Sequence, residues 1–299
     1  MNRRMKRKLI NLIILLIILG ISWYIDNYND KFSFNSVHKK VKVTTTNTLQ
    51  VYYLDVGQAD CTLLSDNGHY MLIDAGNDSD GYKLVRYFKN IGIETFDYVI
   101  ATHGHEDHIG GMDKIINNFK INHFYMPRTI IGSKNFEEVL DSLKRRNVKL
   151  EVPSIDQEFS FSNTKCKILY LNSDEEDINS NSIINKCTYF NNSFMFTGDS
   201  TNSSERKILD KDLESDVLKF GHHGSQYSSS NEFLQKVKPK YGVISVGKDN
   251  IYGFPKKVTM NKIKYYNIET YRTDLDGTII ATSDGNNIKF SFEENFLNG

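Results

Sequence analysis

Residues 99–112 read VIATHGHEDHIGGM, an apolar strand followed at once by side chains that bind metals. In extended backbone, residues two apart point the same way, so His103 and His105 can bind one ion together. Asp107 and His108 lie further along the turn and can reach a second ion nearby. Imidazole nitrogen and carboxylate oxygen suit zinc, and also manganese or iron. The clustering of three histidines and one aspartate directly after a strand predicts a metal site.

Hydrophobic periodicity around this loop predicts an α/β (α+β) protein. Runs rich in Val, Ile, Tyr and Leu predict strands over 50–56, 61–65, 70–74, 98–102, 165–171, 183–189, 193–197, 216–220, 241–246, 277–282 and 287–292. Helical spacing predicts helices over 81–90, 110–119, 135–146, 203–209 and 255–265. Mixed sheets with helices on their outer faces would bury these patterns as a four-layer αββα sandwich, although periodicity alone does not distinguish it from other α/β folds.

Composition favours one globular unit with an exported location. The 299 residues include only four prolines and show no repeat, which argues against long linkers and solenoids. Formal net charge is zero, but five basic residues precede the first apolar run. The remainder is slightly acidic, so it carries no general electrostatic footprint for nucleic acid.

The N-terminus predicts a membrane anchor over 1–26. Residues 9–25 read LINLIILLIILGISWYI without a charge, near the short end of the range for a spanning helix. The basic head should stay in the cytoplasm, which places the rest of the chain outside the membrane as a single-pass protein. A cleaved signal peptide, with Gly20-Ile21-Ser22 as its cleavage pattern, is the alternative, and it also exports the chain. A polar tether over 27–47 and a domain over 48–299 follow.

The three cysteines, Cys61, Cys166 and Cys187, have no metal-type CxxC spacing. They lie in apolar, strand-like runs, where free cysteine behaves as a small buried hydrophobe. We therefore expect buried packing residues rather than a disulfide framework.

Several motifs elsewhere accompany the HxHxDH pattern. They are LDVGQAD at 54–60, IDAG at 73–76, FTGD at 196–199, KFGHHGS at 219–225 with SSS at 228–230, and ISVG at 244–247 followed by YGFP at 252–255. HxHxDH is the hallmark of the metallo-β-lactamase superfamily. The other motifs resemble the LDVGQGD, TGD, KxGHHGS and SVG…YGHP stretches of the C-terminal domain of ComEC-type DNA-uptake proteins. The resemblance covers about 50–292 and implies the αββα metallo-β-lactamase fold.

The resemblance assigns the metal ligands. His103 and His105 would bind the first metal, Asp107 and His108 the second, and Asp199 would bridge the two.

The motif offers two candidates for the last ligand of the second metal. His222 is the preferred ligand, with His223 next in line, and the sequence does not choose between them. The one that is not a ligand could donate a hydrogen bond to a leaving oxygen, so both are catalytic candidates beside Asp107. Asp74 would orient the metal loop through a hydrogen bond to a ligand, and Asp55 and Asp60 would do similar structural work.

Two departures from the superfamily leave the first metal short of nitrogen ligands. Many members have a further histidine between the HxHxDH loop and the bridging aspartate, and here that interval holds only His123, well before the expected place. The NSNS stretch at 179–182 fits the ComEC-type pattern instead. Phe254 stands where relatives have the histidine of YGHP. The site could therefore hold a single metal, or it could bind a second metal only together with substrate.

These residues predict a metal-dependent hydrolase that uses one or two divalent ions, zinc or manganese, to activate water. The preferred function is an extracytoplasmic phosphodiesterase or nuclease acting on single-stranded DNA or on a cell-wall phosphodiester such as teichoic acid. The alternatives are a lactonase or β-lactamase type of C–O or C–N hydrolase, and a degenerate metal-binding interaction module. Tyr252 and the pair at 265–266 could line a substrate groove, although a buried or surface role is the favoured interpretation.

Overall fold

The strands form where β-branched and aromatic residues run together. The structure, a computed structural model, describes residues 47–128, 132–173 and 176–293. In these ranges the strands are β1 Leu49–Tyr53, β2 Thr62–Asp66, β3 His69–Ile73, β4 Thr95–Ile100, β5 Lys120–Tyr125, β6 Leu150–Glu151, β7 Glu158–Phe161, β8 Thr164–Tyr170, β9 Ile184–Tyr189, β10 Asn192–Phe196, β11 Val217–Lys219, β12 Tyr241–Ile244, β13 Glu269–Arg272, β14 Thr278–Ser283 and β15 Ile288–Glu293.

The strands form two mixed sheets with related plans. The first has the order β15-β14-β1-β2-β3-β4-β5-β6, and the second has the order β13-β12-β11-β10-β9-β8-β7. In each sheet an antiparallel part, β1 to β3 or β7 to β10, continues into parallel strands. The predicted hairpin at 283–286 joins β14 to β15, and β14 pairs with β1, so that this hairpin forms one edge of the first sheet.

Helices connect the parallel strands. They are α1 Gly81–Asn90, α2 Glu106–Ile109, α3 Met112–Asn118, α4 Lys134–Arg146, α5 Asn202–Arg206, α6 Asn231–Val237, α7 Lys257–Tyr265 and α8 Thr273–Asp276, with short 3-10 turns at Asp78–Asp80, Ile178–Asn181 and Gly221–Gly224. Helix α4 begins where the Ser133 hydroxyl accepts from the Phe136 N–H, and it ends at Asn147, which has left-handed backbone angles.

Three hydrophobic clusters separate four layers of structure. Phe88, Ile115 and Val139 pack helices α1, α3 and α4 on the outer face of the first sheet. Val217 points into the cluster between the sheets, while its neighbour Leu218 points into the cluster under α6 and α7. Strand β11 is thus buried on both faces, as parallel strands in such proteins are. The predicted αββα arrangement is confirmed.

The predicted strands and helices differ from the structure chiefly in short edge elements. Strands β6, β7 and β13 are absent from the predicted set, because they are only two to four residues long and carry charged residues. The six-residue strand β5 is also absent from the predicted set. The strand predicted over 50–56 ends at Tyr53. The chain then turns, with Gly57 at a φ of +71°, so that the following residues reach the metal loop.

The expectation for the cysteines is wrong for two of the three. Cys166 on β8 and Cys187 on β9 are directly paired neighbours and form a disulfide. Strand register, which spacing in the sequence does not reveal, brings them together. Cys61 is free and buried, as expected.

The predicted anchor over 1–26, and the tether up to residue 46, lie outside the described residues. Among the residues that are described, no helix has both the length and the apolar character needed to span a membrane.

Candidate metal centre

The metal loop begins where β4 leaves the first sheet. Its backbone is fixed by neighbouring loops, since Ala75 N–H donates to the His108 carbonyl (2.7 Å) and Asp60 N–H to the Asp107 carbonyl (2.9 Å). Gly110 and Gly111 follow at a point of close backbone approach. A Cβ at Gly110 would lie 2.3 Å from the Asp78 nitrogen, and one at Gly111 2.4 Å from the Ala75 oxygen. The glycine pair therefore allows the tight turn that presents the ligand side chains.

Four side chains converge at the end of this loop: Asp107, His108, Asp199 and His223, which we call the metal group. One potential ligand atom from each lies within 4.8 Å of all the others. His108 Nε2 lies 3.2 Å from Asp199 Oδ1, and His223 Nε2 lies 3.1 Å from Asp107 Oδ2 and 3.8 Å from Asp199 Oδ2. Both imidazoles and Asp199 are buried, whereas Asp107 is partly exposed.

The donor set fits a divalent ion. Within the described part of the chain, His108 Nε2 and Asp199 Oδ1 are buried and make no hydrogen bond of ordinary geometry although they face each other. The opposite ring nitrogens are held from outside: His108 Nδ1 lies 2.8 Å from Asp74 Oδ2, and His223 Nδ1 lies 2.9 Å from the Ser245 carbonyl. In the neutral form of each ring, these acceptors place the proton on Nδ1 and leave the Nε2 lone pair facing the group, the arrangement typical of metal-bound histidine.

The charged side chains of the metal group shift one another's pKa values. Burial opposes a charge on the His108 ring, but the carboxylates of Asp199, Asp74 and Asp107 raise its pKa well above the usual value. Burial likewise disfavours the Asp199 carboxylate, yet His108 and the neighbouring His223 lower its pKa well below the usual range. Without an ion, protons on the imidazoles balance the carboxylates. A divalent cation can replace those protons in the same place.

His103 and His105 form a pair beside the metal group. His103 Nε2 lies 3.1 Å from His105 Nδ1, and the His103 ring centre lies 4.1 Å from that of His108. Burial and the nearby His108 charge lower the pKa of His103 well below its usual value, so its ring is neutral and can act as a ligand. Their assignment to a first metal stays a prediction.

His222 and His223 lie in the turn Gly221–Gly224, both with left-handed φ values of 51° and 53°. The turn directs the His223 ring into the metal group and leaves its side chain 1% exposed. The His222 side chain is 24% exposed, with Nε2 3.7 Å from Asp199 Oδ2. The motif favours His222 as the last ligand of the second metal. The geometry instead places His223 in the metal group and His222 at its rim.

Asp199 follows β10 through a turn that the NSNS stretch supports. Gly198 has a φ of +50°, and a Cβ there would lie 2.9 Å from the Thr102 side chain. Asp199 N–H donates to the Ser182 hydroxyl at 3.2 Å. The last residue of the NSNS stretch thus holds the Asp199 backbone in place through its hydroxyl. His123 on β5 is the only histidine between 108 and 199. Its Nδ1 lies 3.0 Å from Oε1 of Glu151 on β6.

A buried ion pair that was not predicted from the sequence stabilises the surroundings of the metal group. Lys219 Nζ donates to Asp60 Oδ2, and both side chains are almost fully buried. Asp60, Asp74 and His108 also lie close enough to suggest a second cation site. Since the Lys219 ammonium already neutralises Asp60, we interpret this second cluster as support for the metal loop. Lysine in the KFGHHGS motif was the available signal, but only the fold shows its partner.

Comparison with known proteins agrees with this geometry. Residues 54–166 match the model of the metallo-beta-lactamase superfamily. The chain contains a metallo-β-lactamase domain. This domain has the fold of metal-dependent hydrolases, with candidate ligands for divalent metal.

Two curated relatives of the chain carry names that refer to competence. The chain is 28% identical over 199 residues to ComE operon protein 3 of Bacillus subtilis, an alignment that covers 66% of this chain and 26% of the relative. It is 27% identical over 239 residues to competence protein ComA of Neisseria gonorrhoeae, covering 78% and 32% respectively. The predicted resemblance to ComEC-type proteins is confirmed, and the chain spans about a quarter to a third of the length of these relatives.

Solved structures support the fold of the metallo-β-lactamase domain alone. YhfI of Bacillus subtilis, a metallo-beta-lactamase fold protein, superposes with a TM-score of 0.55 at 13% identity, over 79% of this chain and 100% of YhfI. CmlA of Streptomyces venezuelae, a diiron beta-hydroxylase, gives 0.54 at 14% identity, over 80% and 54%. Hydrolytic and oxidative proteins share this architecture, so the chemistry must be argued from the site.

Proposed function

We propose that this chain is a metal-dependent phosphodiesterase or nuclease that works outside the cytoplasm. The observation that carries the proposal is the metal group, in which two imidazole nitrogens and two carboxylates converge. Within the described residues, His108 Nε2 and Asp199 Oδ1 face each other there at 3.2 Å without a hydrogen bond of ordinary geometry. The likeness to competence proteins favours a phosphodiester of DNA as substrate. A cell-wall phosphodiester such as teichoic acid is the second candidate of the same chemical class.

The protein residues divide the work of hydrolysis. When bound, a divalent ion lowers the pKa of water toward about 7 and stabilises negative charge on a phosphoryl group. Asp107 is the partly exposed carboxylate of the metal group, so it can accept a hydrogen bond from an attacking water and orient it. The His222 side chain lies at the rim of the metal group and is 24% exposed, so its ring can donate a hydrogen bond to the leaving oxygen. His108, His223 and Asp199 hold the ion.

The disulfide supports an extracytoplasmic location. Disulfides persist in oxidising compartments and are rare in the cytosol. The Cys166–Cys187 bond therefore agrees with the export predicted from the apolar N-terminus. Together they favour a substrate that the cell meets outside its membrane.

The test is an activity and metal assay on the full chain, purified without chelator and supplied with manganese or zinc. We expect about one or two ions per chain, and hydrolysis of bis-p-nitrophenyl phosphate and single-stranded DNA. Asp199→Asn should abolish both activities, whereas Asp284→Asn, in the exposed β14–β15 hairpin, should keep them. A metal-loaded chain that cleaves neither substrate would refute the proposal, and hydrolysis of nitrocefin or a lactone would favour the alternative chemistry.

A further inference from the structure

The loop between β12 and α7 exposes apolar side chains beside the metal group. Ile251 is 92% exposed and Tyr252 is 56% exposed. Both line a cavity of about 450 Å³ that Asp107 of the metal group also lines. Large apolar side chains left in water next to a candidate catalytic carboxylate are typical of a ligand-binding surface.

The loop is closed on itself by one side chain. The Asn250 amide donates to the Phe254 carbonyl at 2.8 Å and to the Gly247 carbonyl at 3.0 Å, while its oxygen accepts from the Phe254 N–H at 2.9 Å. One amide thus satisfies both backbone groups of Phe254. The exposed residues between them, Ile251 and Tyr252, are held on a fixed ring of backbone.

Both ends of the loop are also attached to motifs of the site. Gly247 N–H donates to Gln58 Oε1 at 3.1 Å, and Lys256 N–H donates to the Gly224 carbonyl at 3.0 Å. A Cβ at Gly224 would lie 2.5 Å from Pro255 Cβ, so the loop packs tightly on the turn that carries His223. The exposed side chains therefore have a fixed position relative to the metal group, which is what substrate orientation requires.

An aromatic stack leads from the metal group to the surface. The Phe254 ring centre lies 5.5 Å from that of His222 and 6.2 Å from that of His223. Tyr252 stacks on Phe254 with a centre distance of 5.7 Å and an angle of 17° between the rings. Phe254, which replaces the histidine of the related motif, thus supports Tyr252 from behind. Tyr252 nevertheless remains 56% exposed.

The remaining walls of the cavity carry groups that recognise the edge of a base. Glu106 and Asp249 offer carboxylates, whereas the Gln58 and Asn77 amides in the same walls already bond to the Gly247 N–H and to Asp80. Carboxylates accept hydrogen bonds from the amino groups of cytosine and adenine. The same carboxylates would repel a phosphate, so an anionic group belongs on the metal side of the cavity. A polyol phosphate has neither a flat ring for Tyr252 nor amino groups for these walls.

We propose that Tyr252 stacks a nucleobase that carries an exocyclic amino group, next to the phosphodiester that is hydrolysed. The inference rests on the proposed function, and it selects nucleic acid over a cell-wall polymer. Stacking on an aromatic side chain tolerates different sequences because every base has a flat face. The carboxylate wall then favours cytosine or adenine over thymine.

The first measurement compares short oligodeoxycytidine with an oligomer of the same length that lacks bases. We expect Tyr252→Ala to lower the ratio of kcat/KM for the base-bearing to the abasic substrate about tenfold. Tyr265→Ala is the matched control, since Tyr265 is 78% exposed on α7 and lies outside this cavity; its ratio should equal that of the wild type. Wild-type enzyme should also cleave oligodeoxycytidine faster than oligothymidine.

The second measurement needs no turnover. The chain has one tryptophan, Trp23, so the wild-type emission serves as the blank for a Tyr252→Trp variant. In the full chain with EDTA, we expect oligodeoxycytidine to quench the added emission and the abasic oligomer to leave it unchanged.

The outcomes separate this proposal from the hydrolase proposal. Quenching by the base-bearing oligomer without hydrolysis under any metal would refute the hydrolase and leave the base-binding site standing. Hydrolysis with an unchanged ratio in Tyr252→Ala, and no base-dependent quenching, would refute the base-binding site. Equal cleavage of oligodeoxycytidine and oligothymidine would refute the role of the carboxylate wall.

Discussion

Asp74→Asn should weaken metal binding because Asp74 fixes the ring of His108. The Asp74 side chain is buried and accepts three hydrogen bonds. Its Oδ1 accepts from the Thr102 N–H at 2.8 Å, and its Oδ2 accepts from the Thr102 hydroxyl and from His108 Nδ1, each at 2.8 Å. A carboxylate has acceptors for all three donors.

Asparagine has the same shape but only one acceptor oxygen. If that oxygen takes the Oδ2 position, the new NH₂ group faces the Thr102 N–H, and a buried donor loses its partner. If it takes the Oδ1 position, the NH₂ group faces His108 Nδ1. The proton of the imidazole must then move to Nε2, which removes the lone pair that points into the metal group.

The two orientations carry different costs. The first should destabilise the fold by about 1–3 kcal/mol, the cost of an unsatisfied buried group. The second should weaken metal binding about 10- to 100-fold, the usual effect of losing the partner of a metal-bound histidine. Competition with a chromogenic chelator measures the second cost, and denaturant unfolding of the metal-free protein measures the first.

The chain offers a matched control in Asp97→Asn. Asp97 Oδ2 also lies 3.1 Å from a histidine Nδ1, that of His69, and accepts from the Tyr70 N–H, but this pair is on the surface and away from the metal group. The control should leave metal affinity unchanged. If Asp74→Asn also kept both its stability and its metal affinity, the assignment of His108 Nε2 as a ligand would be wrong.

Three further predictions test the site and its surroundings. His223→Ala should lose the ion of the metal group in elemental analysis, because its Nε2 lies among the carboxylates, whereas His222→Ala should keep that ion and lose turnover. Replacing Cys166 and Cys187 together with serine should lower the free energy of unfolding by about 3 kcal/mol in a denaturant titration, the effect expected of a bond closing a loop of this length; equal stability would contradict it. The neighbouring carboxylates raise the pKa of both imidazoles of the metal group, so a metal must displace their protons when it binds. Metal affinity measured by calorimetry should therefore rise with pH, by about tenfold per pH unit for each proton released. An affinity that does not depend on pH would contradict this.

The sequence predicts the layers of the fold well because burial imposes its period on long elements. Helix Gly81–Asn90 has the predicted bounds, and Lys134–Arg146 differs by one residue. Short edge strands such as Leu150–Glu151 are not predicted, because two partly exposed residues carry no periodic signal. The Cys166–Cys187 disulfide is not predicted for another reason. Which residues face each other across two strands depends on register, and register is a property of the assembled sheet.

The site shows the same limit at the scale of a single turn. The motif at 219–225 places two histidines side by side, and nothing in their identity says which ring enters the metal group. Three features of the fold decide it: the left-handed backbone of the turn, the close contact of Gly224 with Pro255, and the Ser245 carbonyl that accepts from His223 Nδ1. The choice between neighbouring ligands is therefore made by the strand and loop beneath them, including the same loop that positions Tyr252. Pro255→Ala, at the packed contact with Gly224, should therefore alter both metal affinity in the chelator competition and the kcat/KM ratio of base-bearing to abasic substrate, since this one contact orients both.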